Sequence, residues 1–288
     1  MKSNKHSIST LLCLAIALLT AVTAGTGLLL RGDNSFETIT SVRGEEYQMA
    51  ATGVYVYNAL RVVAEGIGWD VFTLVFAVPA LLIVLPFLHR GSLRGQLFAI
   101  GILAYLFYQY LMYAMAWAFG PLFLLFILIY SLSLVAIVLI ISTIDITTLD
   151  QRFSAKFPRR GMSALCFVLA AFLILMWLQR ILTALDGNIE GILLGQTTLV
   201  VQALDLGLIV PLAIFTGVSA LRGRPIGYLL CSTVVVKAVA MAIAICAMLF
   251  SAWAYEGTLE IAPLLLFAAA AGVSFWLGVR MYRSILPQ

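Results

Sequence analysis

The chain has 288 residues, 63% of them hydrophobic and only 10% charged, with a net charge of +4 and a mean hydropathy of +1.07. Soluble domains carry about 25% charged residues, so this composition excludes a water-soluble globular protein. The basic residues are divided among short segments and form no patch, which gives nucleic acid no footing as a partner.

Apolar stretches of about 20 residues, each enough to cross a hydrocarbon core about 30 Å thick, recur along nearly the whole chain. None alternates apolar and polar residues over segments of about 10, as the strands of a transmembrane barrel do. The pattern predicts an all-α, polytopic transmembrane helical bundle with eight spans, at 9–30, 69–88, 96–119, 121–145, 163–184, 197–221, 227–252 and 260–280.

The first stretch, "MKSNKHSISTLLCLAIALLTAVTAG", combines a basic start, an apolar run and small residues at Val22 and Ala24. Residues 1–25 therefore read either as a cleaved signal peptide or as part of the first span. The apolar run continues through Leu28, Leu29 and Leu30, which favours the span. Residues 31–68 then form a sizeable segment outside the membrane. Its second half, "YQMAATGVYVYNALRVVAEG", predicts an interfacial helix over about 47–65, because Tyr55, Asn58, Arg61 and Glu65 recur at helical spacing as a polar stripe. Such a helix would lie on the outer leaflet or fold over the bundle as a lid. Arg61 and Glu65 are spaced for an i,i+4 pair.

The connections between spans set the orientation. Lys2, Lys5, Arg90, Arg94, Arg152, Lys156, Arg159, Arg160, Arg222, Arg224, Arg280 and Arg283 all fall on one side, against Arg31, Arg43 and Arg61 on the other, where most acids gather. Short positively charged loops stay in the cytoplasm, so both termini are expected there.

Two passages match without gaps. "VPALLIVLPFLHRGSLRGQL" (78–97) precedes "VPLAIFTGVSALRGRPIGYL" (210–229) by 132 residues, and both read V-P, ten residues, R-G, three residues, G, one residue, L. Each passage is the inward end of a span, a tight basic turn and the start of the next span. The chain is therefore expected to be a parallel duplication of a four-span unit, with an N-terminal half at 1–146 and a C-terminal half at 147–288.

Ionisable groups within spans are costly, by about 2.5–3.5 kcal/mol each at the centre, and face a bundle interior or a cavity. Three stand out: Arg180, Asp205 and Lys237. At 1.5 Å per residue, Lys237 falls ~15 Å above the cytoplasmic end, near the midplane, with Asp205 at ~24 Å and Arg180 at ~27 Å. Asp205 is expected as counter-ion to Lys237 or Arg180. Gln202, Thr233, Tyr105, Tyr108 and Gln109 share the faces that would line the same polar site. Helix locking by the charges, and simple packing by the tyrosines, are the competing structural roles.

Cys13, Cys166, Cys231 and Cys246 all lie in apolar stretches with no CxxC pairing, and neither histidine lies inside a span, so no metal and no cofactor is expected. The loops hold no Gly-rich phosphate motif, HExxH or GxSxG, which weighs against an enzyme. At "EGIGWDVFTLVFAVPALL", "RGSLRGQLFAIGILAYLFYQYLMYA", "VVQALDLGLIVPLA" and "VVVKAVAM" the chain resembles a family of bacterial multi-pass inner-membrane proteins, over nearly its whole length. That resemblance implies the bacterial cytoplasmic membrane and transfers no activity. The resulting expectation is a transporter or permease-like protein handling a small solute or ion. The alternative is a structural or accessory subunit with a membrane-protein partner, and behind it a membrane-embedded enzyme.

Overall fold

The computed structural model describes residues 2–287, with side chains from Asn4 onward; the side chain of Lys2, counted above among the basic residues, lies outside the described set. Eight helices are long and apolar enough to cross a membrane. We label them α1 (Lys2–Leu29), α2 (Leu60–His89), α3 (Leu93–Ala116), α4 (Phe123–Ile141), α5 (Arg159–Leu185), α6 (Val200–Leu221), α7 (Pro225–Glu256) and α8 (Ile261–Arg283). A β-hairpin and a single 3-10 turn at Leu149–Arg152 complete the secondary structure of the described residues.

Helix α3 is the most enclosed: 67% of its apolar window is buried, against 17% for α8, which places α3 at the centre and α8 at the rim. Helix α7 packs against α2, α3, α6 and α8. Helix α1 packs on α2 and α4, burying Cys13, Ile16, Ala17 and Ala24. Outward positions are apolar as well: Leu18 on α1, Val75 and Ile83 on α2, Leu124 on α4, Leu175 on α5 and Phe275 on α8 are all exposed. A belt of this kind would be an aggregation surface in water and is what a helix presents to acyl chains.

Helices α2 and α6 are both interrupted by a π turn, at Thr73–Ala77 and at Asp205–Ile209. In each, an amide bonds back five residues, Val78 N–H to the Thr73 carbonyl and Val210 N–H to the Asp205 carbonyl. The cause is the Val-Pro dipeptide that follows. Pro79 and Pro211 lack an amide hydrogen and their rings crowd the carbonyl four residues earlier, so the helix widens locally. Both helices end in the same way. Gly91 (φ 69°) and Gly223 (φ 65°) adopt the left-handed conformation, and Ser92 and Arg224 amides bond back to the Phe87 and Ser219 carbonyls at 2.9 and 3.0 Å. These Schellman-type closures need a residue without a Cβ penalty, which explains the R-G pairs.

The interfacial helix expected at 47–65 is not formed. Residues 46–50 pair as a strand with Phe36–Thr40, antiparallel, in the register Phe36↔Ala50 to Thr40↔Glu46. The β-branched run Thr38-Ile39-Thr40 offers a partner strand. Positive φ at Gly53 (86°) and Tyr57 (69°) then forbids helix until Leu60. Tyr55 and Asn58 consequently lie in the turn while Arg61 and Glu65 lie on the first turns of α2, and the four make no common stripe. The second span starts at Leu60, nine residues earlier than the expected 69.

The connections divide between two ends. The basic end holds 90–92, 142–158, 222–224 and 284–287, stitched by the Ser154 amide on the Ser284 carbonyl (2.8 Å) and Leu286 on Arg152 (2.9 Å). The acidic end holds the hairpin and residues 117–122, 186–199 and 257–260. Glu45 of the hairpin, buried, accepts the amides of Leu194 and Gly195, both at 3.1 Å.

Candidate functional site

Asp205 is the first residue of the α6 π turn and is buried. Its carboxylate is held from two helices: the Tyr108 hydroxyl of α3 donates to Oδ1 at 2.5 Å and the Trp177 indole N–H of α5 to Oδ2 at 2.8 Å. An ionised carboxylate is acceptor-only, and this one meets a donor at each oxygen. Lys237 of α7 places its Nζ 4.2 Å from the centroid of the Tyr108 ring. Among the described residues the ion pairs closer than 4.0 Å are those of Arg61, so Asp205 and Lys237 are joined through Tyr108 and not by direct contact. One aromatic ring thus donates its hydroxyl to an anion and presents its negative face to a cation. Four helices, α3, α5, α6 and α7, meet at this point.

The remaining expected residues separate into four groups. Gln202 is buried on α6, one turn from Asp205 toward the acidic end. Tyr105 and Gln109 are buried on α3: the Tyr105 hydroxyl meets Thr73 Oγ1 at 3.3 Å, and the Gln109 amide has both its oxygen and its nitrogen buried without a protein partner. Thr233 turns its hydroxyl back onto the Leu229 carbonyl (3.1 Å), so it lends nothing to Lys237. Arg180 corrects a further expectation. Its guanidinium donates to the Gly191 and Ile192 carbonyls (3.1 and 3.3 Å) and braces the 186–199 connection, so Asp205 is not its counter-ion.

Sequence reasoning missed two partners. Asp70 stands at the outer edge of the second span expected at 69–88; because α2 begins at Leu60, it lies almost three turns inside and is 1% exposed. The Tyr55 hydroxyl donates to its Oδ2 at 2.6 Å, and burial together with this carboxylate pushes the Tyr55 phenol well above its ordinary pKa, which keeps it a donor. Only the start of α2 conceals Asp70, and no residue pattern marks that start. Trp177 lies within the expected fifth span and was not singled out; its indole N–H, which seeks an acceptor when buried, was the available signal.

The outer-face residues fasten the acidic end. Arg61 pairs with Glu65 (3.1 Å), Glu256 (3.3 Å) and Glu260 (2.6 Å), tying α2 to the α7–α8 corner. Asn58 accepts the Ala118 amide at 2.8 Å, and the Tyr55 ring meets Trp117 edge-on with centroids 4.6 Å apart. The expected Arg61–Glu65 pair is therefore present, within a larger cluster.

The fold and its buried polar groups fit an integral, multi-pass helical membrane protein in contact with the lipid bilayer. The chain matches no described protein family, no curated protein and no solved structure. What it does must be read from the site itself.

Proposed function

We propose that this is a carrier of a small solute or ion in a bacterial cytoplasmic membrane, working through the Asp205–Tyr108–Lys237 couple. The observation that carries the reading is that opposite charges inside the bundle share a tyrosine instead of neutralising each other directly. A proton arriving at Asp205 or leaving Lys237 changes the net charge of the enclosed site. Ionisable groups placed in this way within spans mark substrate and ion pathways and proton relays. The unpartnered Gln109 amide offers one donor group and one acceptor to such a solute. The π turn at Asp205 supports the same reading, since helix widenings of this type gather at functional sites.

The basic end, holding the short arginine-rich turns, faces the cytoplasm in this proposal, with both termini. A parallel duplication of a four-span unit, divided near residue 146, accounts for the π turns and glycine closures that recur 132 residues apart, from Thr73 to Asp205 and from Gly91 to Gly223. At that offset Thr73 corresponds to Asp205 and Tyr105 to Lys237. The first half joins its pair directly by neutral hydroxyls, whereas the charged pair of the second half is linked through Tyr108. A structural role is the competing reading, favoured by the way Asp205 binds α3 and α5 to α6.

The test reconstitutes the full chain in vesicles with a trapped pH indicator, imposes a membrane potential, and measures proton flux with and without defined amino acids, sugars and organic acids. Solute-dependent flux in the wild type that is lost in Asp205→Asn and in Lys237→Met, at equal reconstitution, supports the carrier. Wild-type flux retained by the double variant refutes it. A wild type without flux toward any solute, together with an Asp205→Asn chain that is merely less stable, would establish the structural reading.

A further inference from the structure

On the flank of the bundle away from Asp205, a cavity of about 490 Å³ opens between α3 and α8, with α7 as its floor. Its lining is apolar, including Phe98, Val235 and Phe275, and Gly278 on α8 adds no side chain to it: a Cβ there would only touch Val235, at 3.6 Å and beyond. At the basic end the cavity finishes at two exposed guanidinium groups, Arg94 and Arg283. Arg94 spends one nitrogen on the Ile285 carbonyl (2.8 Å), leaving its other donors free to turn outward. Tyr282, on the wall beside them, has a buried hydroxyl oxygen with no partner.

We infer that this groove is a binding site for one anionic phospholipid, with an acyl chain along the apolar walls and the phosphate between Arg94 and Arg283. Three observations converge. The guanidinium groups supply charge complementarity for a phosphate at the level where a headgroup belongs, as basic pockets between transmembrane helices do. From Arg94 to Ile102 on α3, and from Arg283 to Phe275 on α8, the lined length is about 12 Å at 1.5 Å per residue. That approaches the ~15 Å depth of one leaflet, half of a ~30 Å core, and far exceeds what a small solute needs. Tyr282 lines the groove beside the two guanidinium groups, and its unpaired, buried hydroxyl would gain an acceptor by turning toward a phosphate or ester oxygen. The site is separate from the Asp205–Lys237 couple and stands whether or not the carrier reading does.

Native mass spectrometry of the purified full chain, titrated with phosphatidylglycerol and with phosphatidylcholine of identical acyl chains, tests the assignment. One phosphatidylglycerol should be retained with at least about tenfold preference. Arg283→Gln, which leaves the Arg94–Ile285 contact in place, should reduce the preference several-fold. Gly278→Leu should remove retention of both lipids by filling the groove. Arg160→Gln, a basic-end substitution outside the groove, should change nothing. Equal retention of the two lipids, an Arg160→Gln effect as large as that of Arg283→Gln, or equal displacement by glycerol phosphate without acyl chains would each overturn the proposal. If Gly278→Leu does not fold, Arg283→Gln against Arg160→Gln decides alone.

Discussion

Replacing Tyr108 by Phe removes one oxygen atom and keeps the ring under Lys237. The structure then predicts a specific loss. Asp205 Oδ1 loses its 2.5 Å donor, while Oδ2 retains the Trp177 indole at 2.8 Å. Hydrogen bonds to charged groups contribute about 1.5–3 kcal/mol in soluble proteins, but inter-helix bonds in membranes average only about 0.6 and reach about 1.7. Asp205 is buried and its oxygens have no spare partner on α6, so the upper part of the membrane range applies, about 1–1.7 kcal/mol. Tyr108→Leu removes the ring as well and adds the cation–π loss at Lys237, about 0.5–2 kcal/mol. The measurement is reversible unfolding of the full chain in mixed micelles with increasing dodecyl sulfate, followed by circular dichroism. A cycle with Trp177→Phe supplies the coupling, expected at about 0.5 kcal/mol or more because the two donors share one carboxylate. A Tyr108→Phe variant within about 0.3 kcal/mol of wild type, or Phe and Leu variants of equal stability, would show that the bridge does not hold the helices as described.

Three further outcomes follow from other parts of the structure. Gly68→Ala should destabilise by about 1–3 kcal/mol in the same assay, because its Cβ would meet the Ala247 carbonyl and lie 2.6 Å from Met248 Cα, whereas Gly25→Ala, with nothing within 4 Å, should be neutral or better. Glu45→Ala leaves the Leu194 and Gly195 amides unpaired and should speed hydrogen exchange across 186–199, with Glu45→Gln milder because an acceptor remains. The Ser35 and Thr52 hydroxyls hold the Asp33 carboxyl well below the usual aspartate range. Its contribution to the hairpin is therefore complete at neutral pH and is lost only as pH falls through that depressed value. Carbon-13 NMR of Asp33 should show this low midpoint, and Thr52→Ala should move it up toward the ordinary value.

Hydropathy placed all eight spans, because a run of apolar residues long enough to cross a bilayer has few other meanings. The ends were less legible. Span two begins at Leu60 through residues as mixed as Arg61 and Glu65, and Arg61 is held not only by Glu65 but by Glu256 and Glu260 from nearly two hundred positions away. That partnership is tertiary and leaves no local mark. The hairpin was misread for a related reason: Tyr55, Asn58, Arg61 and Glu65 happen to fall at helical spacing, while the features that decided the outcome were Gly53 and the strand across from it. At the site, Asp205, Lys237 and Tyr108 were identifiable as polar groups out of place. Their connection was not, because the sequence suggests a direct ion pair and the fold inserts a ring between them. Asp70 escaped because its depth depends on where its helix starts.

Each π turn amounts to one residue more than a regular helix would need between the same endpoints. Deleting a residue from 206–209 would take that extra residue out and swing everything on the acidic side of α6 through about 100° around the axis, the angular step of a single residue. Asp205 would leave Tyr108 and Trp177, while Val210 onward kept its present neighbours. Helix arithmetic, and no property of the aspartate itself, is what aims this carboxylate, so a one-residue indel can switch the site off where most substitutions would only weaken it.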